Sequence, residues 1–307
     1  MTQLSIGSRG SLLALSQSNW VKRQLELHYP DLHVEVKIIK TGGDSFIDVP
    51  IPAIGGKGVF TKEIEEALLR KEVDIAVHSL KDLPTVLPVG LIVAAVPTRE
   101  DARDVLISRD GRSLNDLMSG ARLATGSLRR RTQLLHHRRD LTVVAIRGNV
   151  DTRLRKLDDG EADALIMAAA GLKRIGRAER ISQFLSDEVC VSAAGQGALA
   201  IETRDESVMK ELLAFLHDNS TAAEVCAERS LLDRLGGGCH VPIGARARVE
   251  GESLKMIGVV ASPDGNAFCK AAISGARPDA VELGRRLAAR LNKEGADKIL
   301  AGIKTDE

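Results

Sequence analysis

Gln3-Leu4-Ser5-Ile6-Gly7-Ser8-Arg9-Gly10-Ser11-Leu12-Leu13-Ala14-Leu15 opens the chain, and its reading decides the fold. Gln3–Ile6 reads as a short strand. A Gly/Ser turn follows, and Leu12, Leu15, Val21 and Leu25 then recur at helical spacing. Strand, tight turn and helix form the repeating unit of an α/β protein, and the arrangement aims backbone N–H groups of the helix start at an anion. Arg9 sits in that turn. A plain connection with Ser11 as N-cap accounts for the same residues.

The pattern repeats outward. Val34–Ile39 is the next strand, and Gly42 to Gly58 reads as a long loop, a candidate lid. Its Gly55-Gly56-Lys57-Gly58 is no P-loop, because Gly58 stands where Ser or Thr is required. Thr61 to Lys71 is an amphipathic helix. Val73-Asp74-Ile75-Ala76-Val77 is a buried-type strand ending in His78-Ser79-Leu80-Lys81-Asp82-Leu83-Pro84. Polar groups past the carboxyl end of such a strand mark the usual ligand crevice. Leu91–Val96 is another strand, and Pro97 to Arg103 reads as a hinge.

A second βα unit follows, with strands at Val105–Ile107, Leu123–Thr125, Val143–Ile146 and Ala164–Met167. Between them runs a band of arginines that includes Arg129, Arg130, Arg147 and Arg153, with Asp140 and Asp151 the only acids from Arg122 to Arg155. Several enter helices at strand-end turns, where a planar guanidinium matches a carboxylate or phosphate in a bidentate way. A solvated basic face accounts for Arg138 and Arg139. Gly195-Gln196-Gly197-Ala198-Leu199-Ala200 fits a loose dinucleotide pattern, but a strand rather than a helix follows, so that reading fails and the run is expected to return the chain to the first unit.

Leu235-Gly236-Gly237-Gly238-Cys239-His240-Val241-Pro242 ends a helix that a capping box at Thr221 and Glu224 is expected to open. Three glycines tether one thiol. After it, Ala245–Val249, Leu254–Ala261 and Ala267–Ser274 alternate as strands, and Pro278 opens a helix over Asp279–Lys293 that Gly295 ends.

The chain has 307 residues, room for two or three domains, and a net charge of +1. Aromatics make up 2%, too few for base-stacking platforms, and with the near-neutral charge this argues against nucleic acid as a partner. The four cysteines show no zinc spacing, and His136-His137 is not spaced as a ligand pair, so no metal is expected. No charged-then-apolar leader precedes Leu4, and no apolar run approaches ~18 residues, which predicts a soluble cytoplasmic protein with free thiols and no membrane partner.

Taken together, Gly7–Ser11 with Leu13, Ala14 and Gln17, Gly55–Gly58, His78–Thr85, Ser127–Arg130, Arg147–Val150 with Thr152–Leu154, Gly195–Ala198, and Glu228-Arg229 with Gly237-Gly238-Cys239 closely resemble the porphobilinogen deaminase family over the whole length. Ser8 stands where that family usually has Thr, and Gly126 where it more often has Ser.

The resemblance implies an α/β protein with two α/β domains in the style of two-lobed solute-binding proteins, 1–98 with 198–217 and 103–193, and the crevice between them. A small C-terminal α+β domain of three strands, 219–307, would carry the cysteine. It implies a transferase of tetrapyrrole and haem biosynthesis that joins four porphobilinogen units head to tail into hydroxymethylbilane, with loss of ammonia. A dipyrromethane cofactor would be bound to Cys239 through a thioether, and the enzyme would be a monomer. Carried over residue by residue, the cofactor would be held by Ser79, Lys81, Asp82, Thr125, Ser127, Arg129, Arg130, Arg147 and Gly148. Arg9, Ser11, Gln17, Arg153, Arg174 and Gln196 would meet substrate, and Lys57 and Phe60 would belong to the lid. Asp82 would protonate the departing amine, stabilise the azafulvenium left behind and later accept the proton of the attacking pyrrole. The rival reading is a non-enzymatic two-lobed binding protein for a polycarboxylate, which gives Cys239 no task.

Overall fold

The computed structural model describes residues 2–42, 61–237 and 241–304. In chain order its first elements are β1 (Gln3–Ser8), α1 (Leu12–His28), β2 (His33–Ile38), α2 (Lys62–Leu69), β3 (Ile75–Ser79), β4 (Leu91–Ala95), β5 (Asp104–Ser108), β6 (Arg122–Ala124), α3 (Leu128–His137), β7 (Thr142–Val144), α4 (Val150–Asp158), β8 (Ala164–Ala168) and α5 (Ala169–Arg174). There follow β9 (Gln183–Phe184), β10 (Leu199–Arg204), α6 (Ser207–Leu213), α7 (Asn219–Arg234), β11 (Ile243–Glu250), β12 (Ser253–Ala261), β13 (Phe268–Ala276), α8 (Ala280–Lys293) and α9 (Ala296–Lys304).

They form two compact units. The first is Met1–Glu100 with Ala198–Ala222, the second Asp101–Gly197 with Ala223–Glu307. In the first, five strands run in the order β2-β1-β3-β10-β4, with β1 parallel to β2 and β3, and β10 antiparallel to β3 and β4. The run after Gly195-Gln196-Gly197 therefore enters a strand of the first unit's sheet, as the sequence predicts. Val21 and Leu25 of α1 pack with Ile6, Ile75 and Ile201 in one core, and Ile64 and Leu68 of α2 pack with Val73 and Ala76 in another. Such double coverage explains why β3 reads as a continuous apolar run.

The second unit holds a five-stranded sheet, β7-β6-β8-β5-β9, and a three-stranded antiparallel sheet, β11-β12-β13. The larger sheet has one core around Leu154, Leu157 and Leu165 and another around Leu106, Leu123 and Leu134. The smaller packs Ala245, Leu254 and Val260 against Leu231 of α7 and Leu287 of α8. The Glu228 carboxylate accepts from the Gly195 and Ala247 amides at 2.7 and 2.8 Å, which ties α7 to both backbones.

Local details differ from the sequence reading. Helix α7 begins at Asn219, and the Asp218 carboxylate accepts from Thr221 N at 2.7 Å, so the predicted box at Thr221 and Glu224 lies inside the helix. Thr221 Oγ1 instead accepts from Arg99 N, and Glu224 Oε1 from Val249 N. A short 3-10 turn, Arg277–Asp279, contains Pro278 and precedes α8. Strand β6 has the predicted three residues but begins one residue earlier, and β7 has three residues where four are predicted.

Candidate active site

Three elements of the first unit converge at the carboxyl ends of β1 and β3. Ser11 caps α1, its Oγ accepting from Ala14 N at 3.3 Å, so the plain-connection reading of that residue holds locally. One turn into the helix, buried Gln17 donates from Nε2 to Ser79 Oγ at 2.9 Å. After Ser79 the chain makes a single 3-10 turn, Leu80–Asp82. Leu80 and Leu83 are buried, and Leu80 N donates to Ala198 O, which fixes the turn at both ends and leaves Asp82 exposed. A cavity of about 70 Å³, partly open to solvent, is lined by Arg9, Ser11, Gln17, Thr61, His78, Ser79 and Asp82. It offers a guanidinium, hydroxyls and an amide beside one exposed carboxylate. That donor set suits a carboxylate-bearing ligand on which a proton must be moved.

Below the turn, His78 Nε2 lies 2.9 Å from Glu202 Oε2, both side chains buried. Glu65 of α2 is buried nearby, and burial first, then the Glu202 charge, raise its carboxyl against the opposing pulls of Thr61 and His78.

In the second unit the predicted residues divide into two sets. Arg129 and Arg130 are buried and committed to an internal carboxylate. Arg129 Nη1 donates to Asp104 Oδ2 at 2.6 Å and to Val191 O at 2.7 Å, and Arg130 Nε donates to Asp104 Oδ1 at 2.9 Å. Gln196, wholly buried, donates to Asp104 Oδ1 and Ala102 O. Burial alone would raise the Asp104 carboxyl, but the charges of Arg129 and Arg130 prevail and hold it well below the carboxylate range. The Cys190 thiol, in the same nest, is pushed up to about 12 by burial and by the Asp104 charge. That thiol is inert at neutral pH.

The other set stands at the entrances of α3 and α4, with Arg174 at the end of α5. Ser127 caps α3, its Oγ accepting from Arg130 N, while Thr125 Oγ1 accepts from Ser127 N at 3.2 Å. A Cβ on Gly126 would lie 2.9 Å from Ile146 O, which accounts for glycine at that position of this turn. Gly148 has φ +109°, and a Cβ there would meet Thr152 at 2.6 Å, so only glycine fits. Arg153 donates from Nε to Gly148 O at 2.7 Å, and Arg174 from Nη2 to Gly197 O at 2.7 Å. Arg147 is half-buried with no carboxylate partner among the described residues. Cys239, Lys57 and Phe60 lie outside the described residues.

Sequence reasoning passed over Asp104, Glu202 and the His78 contact. An acid next to or inside an apolar strand run was the available signal, since a buried charge must find a partner.

The model of "Porphobilinogen deaminase, dipyromethane cofactor binding domain" matches residues 4–211, and that of "Porphobilinogen deaminase, C-terminal domain" matches residues 222–293. The curated porphobilinogen deaminase of Syntrophotalea carbinolica is 50% identical over 301 residues, 98% of this chain and 96% of that one. The one from Geobacter metallireducens is 52% identical over 302 residues, 98% and 95% of the two chains. Among solved structures, the periplasmic aliphatic sulphonate binding protein SsuA of Escherichia coli matches at TM-score 0.38 and 12% identity, over 76% of this chain and 70% of that one.

Proposed function

The chain belongs to the porphobilinogen deaminase family, and on that premise we propose how its residues divide the reaction. The protein is a hydroxymethylbilane synthase of porphyrin biosynthesis. It joins four porphobilinogen units head to tail into linear hydroxymethylbilane, with loss of ammonia, and uses a dipyrromethane cofactor.

The residues present fit that cofactor. It bears acetate and propionate carboxylates, and the hydroxyls and guanidinium groups at the strand ends are donors for such groups. When bound, it supplies the pyrrole end to which the first unit is joined. Cys239 would hold it through a thioether, and Ser79, Lys81, Thr125, Ser127, Arg147 and Gly148 would hold its side chains. Arg9, Ser11, Gln17, Arg153 and Arg174 would orient the carboxylates of incoming units. Arg129, Arg130 and Gln196 would act from behind, through the Asp104 cluster.

Asp82 does the proton chemistry in this reading. The observation that carries it is the position of Asp82 on a pinned turn, exposed at the cavity that Arg9, Ser11 and Ser79 line. Protonated, it can donate to the departing nitrogen. Ionised, it sits beside the cation and accepts the pyrrole proton.

The separate cores of the three sheets support domains at 1–98 with 198–217, 103–193 and 219–307. No described helix is long and apolar enough to cross a membrane. Cys190, Cys226 and Cys269 are unpaired, which supports a reducing cytoplasmic setting for the enzyme, and its working form would be a monomer. Measuring ammonia and hydroxymethylbilane together after addition of porphobilinogen tests the whole reading. Release of both in the ratio of the reaction is expected, whereas a binding protein would take up ligand and release neither.

The two sets of arginines should separate experimentally. Arg147→Leu removes a guanidinium with no carboxylate partner among the described residues, so stability should hold while turnover falls by roughly 10–100-fold, the equivalent of ~1.5–3 kcal/mol for a charged hydrogen bond. Arg130→Leu strips a partner from buried Asp104 and should lower the urea midpoint as well. An Arg147→Leu variant with wild-type kinetics would remove that residue from the site.

A further inference from the structure

We infer that Thr61 is a further substrate-binding residue, whose hydroxyl donates to a carboxylate of the incoming porphobilinogen in the cavity that Arg9 also lines. The inference rests on the reading of that cavity as the place where the unit binds.

Thr61 stands at the N-cap of α2, and its carbonyl accepts the first helical bond from Glu65 N at 2.8 Å. A threonine hydroxyl in that position ordinarily accepts from an amide of the first turn. Here no such capping bond forms. The residue is nonetheless only 1% exposed, and Oγ1 is buried with no hydrogen-bond partner among the described residues. Thr61 lies near enough to Glu65 to lower its carboxyl, but the contact falls outside hydrogen-bond geometry. A hydroxyl held out of water without a partner is destabilising, and valine would fill the same space without that cost. The fold thus keeps a donor at this wall for a partner that comes from outside.

The place of the hydroxyl identifies that partner. Thr61 and Ile64, one turn on, line the cavity together with Arg9, Ser11, Ser79 and Asp82. A guanidinium favours an anion there, and so does the start of a helix, whose first amides lack internal partners. The two acids in the first turn of α2 do not cancel this field. Glu63 Oε1 accepts from Gly42 N at 2.8 Å, and burial raises the Glu65 carboxyl towards its neutral form. Porphobilinogen brings both an ammonium group and carboxylates. Asp82 suits the first, and Arg9 with Thr61 the second, so the cavity sorts the two ends of one ligand. Being β-branched and buried, Thr61 holds its hydroxyl in a fixed direction.

Thr61→Val keeps the shape and removes the donor. KM for porphobilinogen should rise at least about tenfold, the loss typical of a hydrogen bond to a charged group. Turnover at saturation should stay within about twofold, the pattern of a contact made alike in ground and transition states. The urea midpoint should hold or rise, because the hydroxyl has no partner to lose, whereas a hydroxyl that braces the fold would lower it. Thr61→Ser, which keeps the donor, should recover most of the KM. Intact mass should show the cofactor adduct in place, which assigns the contact to incoming units. Thr61→Ala gives the same readouts if Thr61→Val does not fold. An unchanged KM, a lowered midpoint or a lost adduct would each overturn the inference. Arg9→Leu, assayed alongside, separates the two levels. If its KM is that of the wild type, the reading of the cavity fails, and if its KM rises while that of Thr61→Val does not, only the Thr61 contact fails.

Discussion

Asp82→Asn is expected to lower turnover at least about a hundredfold, the smaller loss associated with removing an electrostatic contact to developing charge. The substitution keeps size and shape but can neither hold a negative charge nor move a proton. Both roles fall on one group, so their losses need not multiply. Binding of porphobilinogen should survive, because Arg9, Ser11 and Ser79 remain around the cavity. Stability should change little, since Asp82 is exposed and the turn is pinned by Leu80 and Leu83. Asp82→Glu keeps the charge and moves it by one methylene, so it should retain more activity than Asp82→Asn. Single-turnover ammonia release from cofactor-loaded enzyme measures this. A near-normal rate from Asp82→Asn would transfer the proton chemistry to another group.

The second large effect concerns stability. Asp104→Asn leaves the Arg129 and Arg130 guanidiniums buried without their counter-charge. Breaking one buried ion pair from one side costs ~3–5 kcal/mol, and here two cations share the loss. With urea slopes of ~1–3 kcal/mol per molar, the unfolding midpoint should drop by at least about 1 M. The sign of the pH dependence follows from the carboxyl being held below its ordinary value of 3.8. Its contribution is whole above that value and is lost as pH falls below it towards the folded-state value. Wild-type stability should therefore decline steeply in acid below about pH 4, and Asp104→Asn should show a shallower decline there. An unchanged midpoint at neutral pH would mean that the pair carries no net stability.

Much of the architecture was legible because it is written in local patterns. The strand, turn and helix at Gln3–His28, the buried run ending at Ser79 and the strand after Gly197 all announce themselves by apolar spacing and by Gly, Ser and Pro at the joints. The Asp82 turn was legible for the same reason. Partners far apart in sequence were not. Nothing near Arg129 shows that its carboxylate lies at Asp104, and nothing near His78 points to Glu202, 124 residues away. Thr221 and Glu224 show the converse error. Their spacing fits a capping box, but Asp218 reaches the helix start first, and tertiary contacts to Arg99 N and Val249 N take up both side chains. Arg129 and Arg130 show what residue type alone leaves out: their strand-end position suits an external anion, and the fold also gives them an internal carboxylate at Asp104.

Intact mass of the purified enzyme, beside Cys239→Ser, tests the central claim most directly. The wild type should exceed its sequence mass by one dipyrromethane unit, with the adduct mapping to Cys239 after proteolysis. Cys239→Ser should fold, carry no adduct and make no hydroxymethylbilane. Wild-type protein at its bare sequence mass that still turns over porphobilinogen would contradict the account, as would an adduct that persists on Cys239→Ser.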